Sequence, residues 1–168
     1  GATREAFPGL PLGGVTIPER HASRGDEHER LLRKQDAGAS FFISQIIYDI
    51  GAAKNLASDY RYATNGSGRD TAPLVFTLSL CGSAKTLSFV EWLGVDVPQW
   101  VRNEILHAED PLAWSKQHAV NAARELAEFC RYLGIPFGFN VESVSARKVE
   151  IEAAVELTHQ IAEILDRD

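Results

Sequence analysis

Gln45 stands at the end of an apolar run, Phe41-Phe42-Ile43, where an amide is out of place. An amide buried without partners costs about 1–3 kcal/mol, so this side chain either has a structural partner or receives a ligand. Other groups able to do chemistry gather at similar boundaries. Pro18-Glu19-Arg20-His21 sets an acid, a guanidinium and an imidazole side by side, either facing a ligand or forming a salt-bridged loop with a capping histidine. Glu27, Arg30 and Lys34 fall on one helical face with Arg33 beside it, a stripe that either holds phosphates or is simply solvated. Lys85 and Phe89 share one side of a helix, where an aromatic ring either stacks on a flat heterocycle or joins the core. Asn140, Glu142 and Ser143 close another apolar stretch, as ligand contacts or as caps. Cys81 has no evident base beside it and reads as a small buried thiol. Cys81 and Cys130, like His107, His118 and His159, lack metal-ligand spacing, so no metal site is expected.

The elements that must position these groups alternate along the chain. Residues 12–18 read as a short strand stopped by Pro18, and Asp26 caps a helix that carries Leu31 and Leu32 inward and ends near Gly38. A strand over 41–47 leads to a helix over 50–62 with Ala53, Leu56 and Tyr60 on its inner face, then to a polar surface loop over 64–73. A third strand over 74–80 precedes a helix over 83–93 stopped by Gly94, and Val97-Pro98 opens another. Asp110-Pro111 starts the longest helix, which runs to Gly134. A fourth strand over 136–141 and a last helix over 145–165, with Ile151, Val155, Ile161 and Leu165 inward, close the chain. Strands apolar on both faces and alternating with helices predict an α/β fold with a parallel sheet and right-handed crossovers. Four such units are half of a (β/α)8 barrel of the TIM type, and no Gly-rich phosphate loop supports an open dinucleotide-binding sheet instead. In either architecture, ligands bind at the carboxyl ends of the strands.

Composition sets the outer bounds. The chain has 168 residues, 45% of them hydrophobic and 24% charged, which predicts one domain over 1–168 with a leading segment over 1–11. A net charge of −6 without a basic block argues against a nucleic-acid partner. No apolar run reaches the roughly 18–20 residues that cross a bilayer. Two isolated cysteines fit a reducing compartment, so a cytoplasmic location is expected. The chain contains no methionine and begins at Gly1, which fits a processed product or a piece of a longer chain.

The stretches Thr-Ile-Pro-Glu-Arg-His at 16–21, Lys-Gln-Asp-Ala-Gly-Ala-Ser-Phe-Phe-Ile-Ser-Gln at 34–45 followed by Ile-Ile-Tyr-Asp, and Val-Asp-Val-Pro at 95–98 together resemble the carboxyl-terminal half of methylenetetrahydrofolate reductase. The resemblance runs from about Leu12 onward. It implies an eight-stranded barrel holding FAD at its strand ends, and NADH- or NADPH-dependent reduction of methylenetetrahydrofolate to methyltetrahydrofolate in the one-carbon metabolism that feeds methionine biosynthesis. Carried over by position, Gln45 would bond the pterin, Phe89 would stack on folate or nicotinamide, and Lys85 would be a further folate contact. Arg147 is the candidate for the folate tail. His21, Glu27, Arg33 and Lys34 would line the flavin phosphates and ribityl chain, while Ile17 and Arg30 stand at flavin positions usually aromatic and small polar. The family's proton-donating glutamate and flavin-side aspartate belong to the first half of the barrel, so no catalytic residue is assigned in this chain. A complementary half-barrel or a second copy is then expected as partner. The alternative is a noncatalytic relative that binds folate or a nucleotide, or a subunit that completes a barrel.

Overall fold

The computed structural model describes residues 10–166, so most of the leading segment, residues 1–9, lies outside the described residues. Strands β1 (Leu12–Thr16), β2 (Ala39–Ile46), β3 (Leu74–Ser79) and β4 (Phe137–Glu142) form one four-stranded sheet in chain order. Each neighbouring pair is parallel, as the sequence predicts. Helices α1 (Pro18–Arg24) and α2 (Glu27–Asp36) link β1 to β2, and α3 (Ile50–Gly66) links β2 to β3. Between β3 and β4 run α4 (Ala84–Trp92), α5 (Gln99–His107) and α6 (Pro111–Leu133), and α7 (Lys148–Leu165) follows β4. No helix among the described residues is long and apolar enough to cross a membrane.

Local chemistry fixes the element ends. Asp49, Ser83 and Asp110 each accept the backbone N–H three residues on, at 3.0, 3.1 and 3.0 Å, and so start α3, α4 and α6. Gly38, the expected stop after α2, has φ 103°, a conformation that side chains with a Cβ rarely adopt. Leu31, Phe42, Leu56, Tyr60, Leu74, Phe76 and Leu126 pack into one cluster between the sheet and α2, α3 and α6. Gly13 and Gly14 let the rings of Phe41 and Phe42 lie against β1. A Cβ on either would come within 2.8 Å of ring carbons. Along β1 burial alternates, and Val15 remains 62% exposed at the sheet edge.

Three expectations need correction. Pro18–His21 is not a strand-end loop, because Pro18 begins α1, its missing N–H falling where a helix leaves that donor unpaired in any case. Helix α3 runs on to Gly66, into the segment expected to be a surface loop. Within that segment Thr64 and Thr71 are buried, their hydroxyls 2.7 Å apart. The last helix is phased differently: Ile151 and Val155 are 44% and 55% exposed, while Ala153, Ala154, Leu157, Ile161 and Ile164 are buried. These pack against Ala119, Ala122, Ala123 and Ala127 of α6, so Ala153 and Ala154 bring the helices close while Leu157, Ile161 and Ile164 fill the contact along its length.

Candidate functional site

Gln45 owes its position to an irregularity in β2. Pairing with β3 slips between Ile43 and Ile46, and the backbone groups left over at the slip are taken up by hydroxyls. The Thr77 N–H donates to Ser44 Oγ at 2.8 Å, Thr77 Oγ1 donates to the Ser44 carbonyl at 2.8 Å, and Ser44 Oγ donates to the Gln45 carbonyl at 2.7 Å. The backbone of Gln45 is thereby pinned. Its side chain is half-buried, and no hydrogen bond to it is found among the described residues. Just past the end of β2, Tyr48 OH donates to the Ser79 carbonyl of β3 at 3.4 Å, while Ser79 Oγ is buried without a partner among the described residues. Burial holds the Tyr48 phenol well above its ordinary value, so it stays neutral.

A cleft of about 390 Å³ opens beside this rim, between α4 and the segment that enters α7. Lys85, Phe89 and Arg147 all line it, with Thr86 between them. Lys85 is exposed, and Phe89 is 42% exposed with its other side on Trp92, the ring planes 19° apart and the centroids 5.7 Å apart. Arg147 Nη1 donates to Glu150 Oε1 at 3.0 Å, and Thr86 Oγ1 lies 3.1 and 3.2 Å from the two carboxylate oxygens of Glu150. Glu150 is itself 1% exposed, so it acts as a buried brace under two cleft residues. A flat ring beside two cations suits a planar, anionic ligand. Gln45 does not line this cleft.

The residues carried over to the flavin separate into distinct groups. Glu27 is fully buried rather than part of a solvated stripe, and it accepts from Thr16 Oγ1 and the Ile17 N–H, both at 3.3 Å. Arg20 and Arg30 pair with its other oxygen at 3.4 and 3.3 Å. Lys34 Nζ donates to the Val15 carbonyl. Burial lowers its pKa, opposed by Glu27 and reinforced by Arg30 and Arg20. Arg33 points outward on Glu29 at 3.6 Å. His21 is buried against Asp59 of α3 and His28 of α2, apart from the Glu27 network. Glu19, two residues before it, has its carboxyl pushed up to about 7, chiefly by burial. Asp49 and Asp96 add to the rise, against the backbone N–H groups of Glu19 and Asp49.

Sequence reasoning missed Thr86, His28, Asp59 and Glu150. Only Glu150 left a trace, as an acid three residues after Arg147 in the first turn of a helix, a spacing that ordinarily marks an exposed pair. Cys81 is buried as expected, its thiol pushed up to about 11 by burial foremost.

The parallel four-stranded sheet and the helices that join its strands define an α/β protein, an arrangement consistent with part of a barrel, with a cleft near the strand ends. The methylenetetrahydrofolate reductase family model matches residues 6–136, and this chain belongs to that family. Among solved structures it is similar, at 45% identity and a TM-score of 0.91, to an uncharacterized protein from Clostridium thermocellum described as binding two copies of 5-methyl-5,6,7,8-tetrahydrofolic acid. That match covers 97% of this chain and 57% of the other, so the chain spans little more than half of its neighbour's length. No curated protein matches it.

Proposed function

We propose that this chain binds a reduced folate in the cleft beside α4, with the flat pterin or aryl ring against Phe89 and the carboxylate tail toward Lys85 and Arg147. The observation that carries the reading is the meeting of these three residues, two on α4 and one at the start of α7, around one cleft. The 45% identical neighbour, described as binding methyltetrahydrofolate, supports the ligand class. Gln45, held at the slip in β2 outside the cleft and with no hydrogen bond to its amide among the described residues, offers a group to a pterin edge that extends past the cleft onto the strand rim. The strands at the sheet edges, β1 and β4, invite a complementary half-barrel or a second copy.

The full reductase reaction, NADH- or NADPH-dependent reduction of methylenetetrahydrofolate through FAD, is the second reading, favoured by the family match over residues 6–136. In this arrangement the residues carried over to the flavin do not fit it. Arg30 and Lys34 turn to Glu27 and the Val15 carbonyl, Arg33 lies on Glu29 at the surface, and none of the three lines the cleft that Arg147 lines. Glu27 brings a buried negative charge to the phosphate position, and Ile17 has no ring to lay on the flavin. Folate binding without a resident flavin therefore accounts for the residues best.

Titration with 5-methyltetrahydrofolate tests this. Saturable binding is expected, weakened about tenfold by Phe89→Ala and by about 1–2 kcal/mol in Gln45→Ala. The purified chain is expected to lack a flavin spectrum. Absence of saturable binding, or wild-type affinity in both variants, would overturn the reading. A bound flavin together with reduction of methylenetetrahydrofolate by NADH or NADPH would establish the reductase instead.

A further inference from the structure

His21 of α1, His28 of α2 and Asp59 of α3 meet where three helices adjoin, and they share no residue with the folate cleft. One ligand atom from each lies within 4.8 Å of the others. His21 Nε2 stands 3.0 Å from Asp59 Oδ2, and the two imidazoles pack edge to face with centroids 5.3 Å apart. His21 is 5% exposed, and Nδ1 of both rings is buried without a hydrogen-bond partner. A neutral imidazole carries one donor and one acceptor nitrogen. His21 Nε2 is the nitrogen turned to Asp59, and among the described residues His28 Nδ1 is a buried nitrogen with no protein group to bond.

We propose that these three side chains form a site for a divalent transition-metal ion, with zinc(II) the class that fits best. Two imidazoles and one carboxylate are the mixed nitrogen and oxygen donors that zinc accepts, whereas calcium and magnesium select oxygen throughout. A tetrahedral ion with bonds of about 2.0–2.1 Å holds its ligands roughly 3.3–3.4 Å apart. The His21–Asp59 pair already stands near that spacing, and closing the third ligand from within 4.8 Å takes a movement of up to about 1.5 Å, within reach of side-chain rotation. The backbone around the site is fixed: Gly25, at φ 72°, ends α1 with its N–H on the His21 carbonyl at 2.7 Å. That turn sends the chain back so that the first turn of α2 presents His28 to His21. Asp59, with its side chain 57% exposed, leaves a path for the ion from solvent. A fourth coordination position remains for water.

The test is titration of the metal-stripped chain with Zn²⁺ by calorimetry and with Co²⁺ by visible absorption. The expected result is one equivalent bound, a four-coordinate Co²⁺ spectrum, and a higher melting temperature with zinc. Asp59→Asn, at a largely exposed side chain, and His28→Gln are expected to weaken binding about tenfold or more while retaining the native circular dichroism. His159→Ala, at an exposed histidine of α7, is expected to bind as the parent does. Absence of saturable binding at one equivalent, or parental affinity in both Asp59→Asn and His28→Gln, would overturn the site and leave a His–Asp pair that only joins helices.

Discussion

Replacing Glu19 by glutamine should make the protein more stable at neutral and alkaline pH. Glu19 is 8% exposed in the first turn of α1, and its Oε1 is buried without a hydrogen-bond partner among the described residues. Its carboxyl is pushed from an ordinary 4.5 up to about 7, first by loss of solvent and then by the negative charges of Asp49 and Asp96. In the unfolded chain the group ionises near 4.5, whereas the folded chain keeps the proton until about 7. Between those values the folded state binds more protons, so stability falls as pH rises through the window and then levels off. At about 1.4 kcal/mol per pKa unit, the penalty above the window approaches about 3 kcal/mol. Glutamine keeps the shape and carries no charge. Urea unfolding of both proteins should give similar stabilities near pH 4, with the variant gaining up to about 3 kcal/mol by about pH 8. A difference that does not change with pH, or a variant less stable at about pH 8, would refute the assignment of a buried, charge-averse carboxyl.

Three further perturbations probe the cleft and the core. A Cβ at Gly82 would lie 2.6 Å from Glu150 Oε1, so Gly82→Ala should displace the brace under Thr86 and Arg147. A loss of about 1–3 kcal/mol in urea unfolding, with weaker folate binding, is expected, and unchanged values for both would argue against the brace. Leu157 is fully buried among the alanines of α6 and α7, and Leu157→Ala should cost about 2–5 kcal/mol by the same assay. Burial pushes the Cys81 and Cys130 thiols up to about 11 and about 12, so neither should react with a thiol reagent in the native protein near pH 8. Fast labelling of either without denaturant would contradict their burial.

The sheet was legible because its signals are local. Phe42, Leu74, Phe76 and Leu78 mark strands covered on the helical side, and Gly38, Gly94 and Gly134 mark the stops with φ of 103°, 81° and 65°. Helix α1 was not legible, since seven residues of mixed charge after a proline carry no apolar stripe to set them apart from a loop. The phase of α7 failed for a different reason. Its partner surface on α6 is made of alanines, and large apolar residues lie on both sides of α7, three buried (Leu157, Ile161, Ile164) and three exposed (Val149, Ile151, Val155), so close approach through Ala153 and Ala154 decides which side faces inward.

Within the candidate site the same division holds. Lys85 and Phe89 could be paired from sequence because one helical turn joins them, and Arg147 could be attached only through the family resemblance. What holds Arg147 in place could not be read, because an acid three residues along a helix ordinarily makes an exposed pair worth little. Here the carboxylate of Glu150 is 1% exposed and also meets Thr86 from α4, 64 residues earlier. Removing Thr86 or Arg147 would leave that charge buried and under-bonded, which is destabilising in a way no surface pair is. The ion pair therefore couples the cleft to the contact that ties the first turn of α7 to Thr86 of α4, and ligand contact at Arg147 is tied to the integrity of the fold at a point where the sequence shows only an ordinary helical spacing.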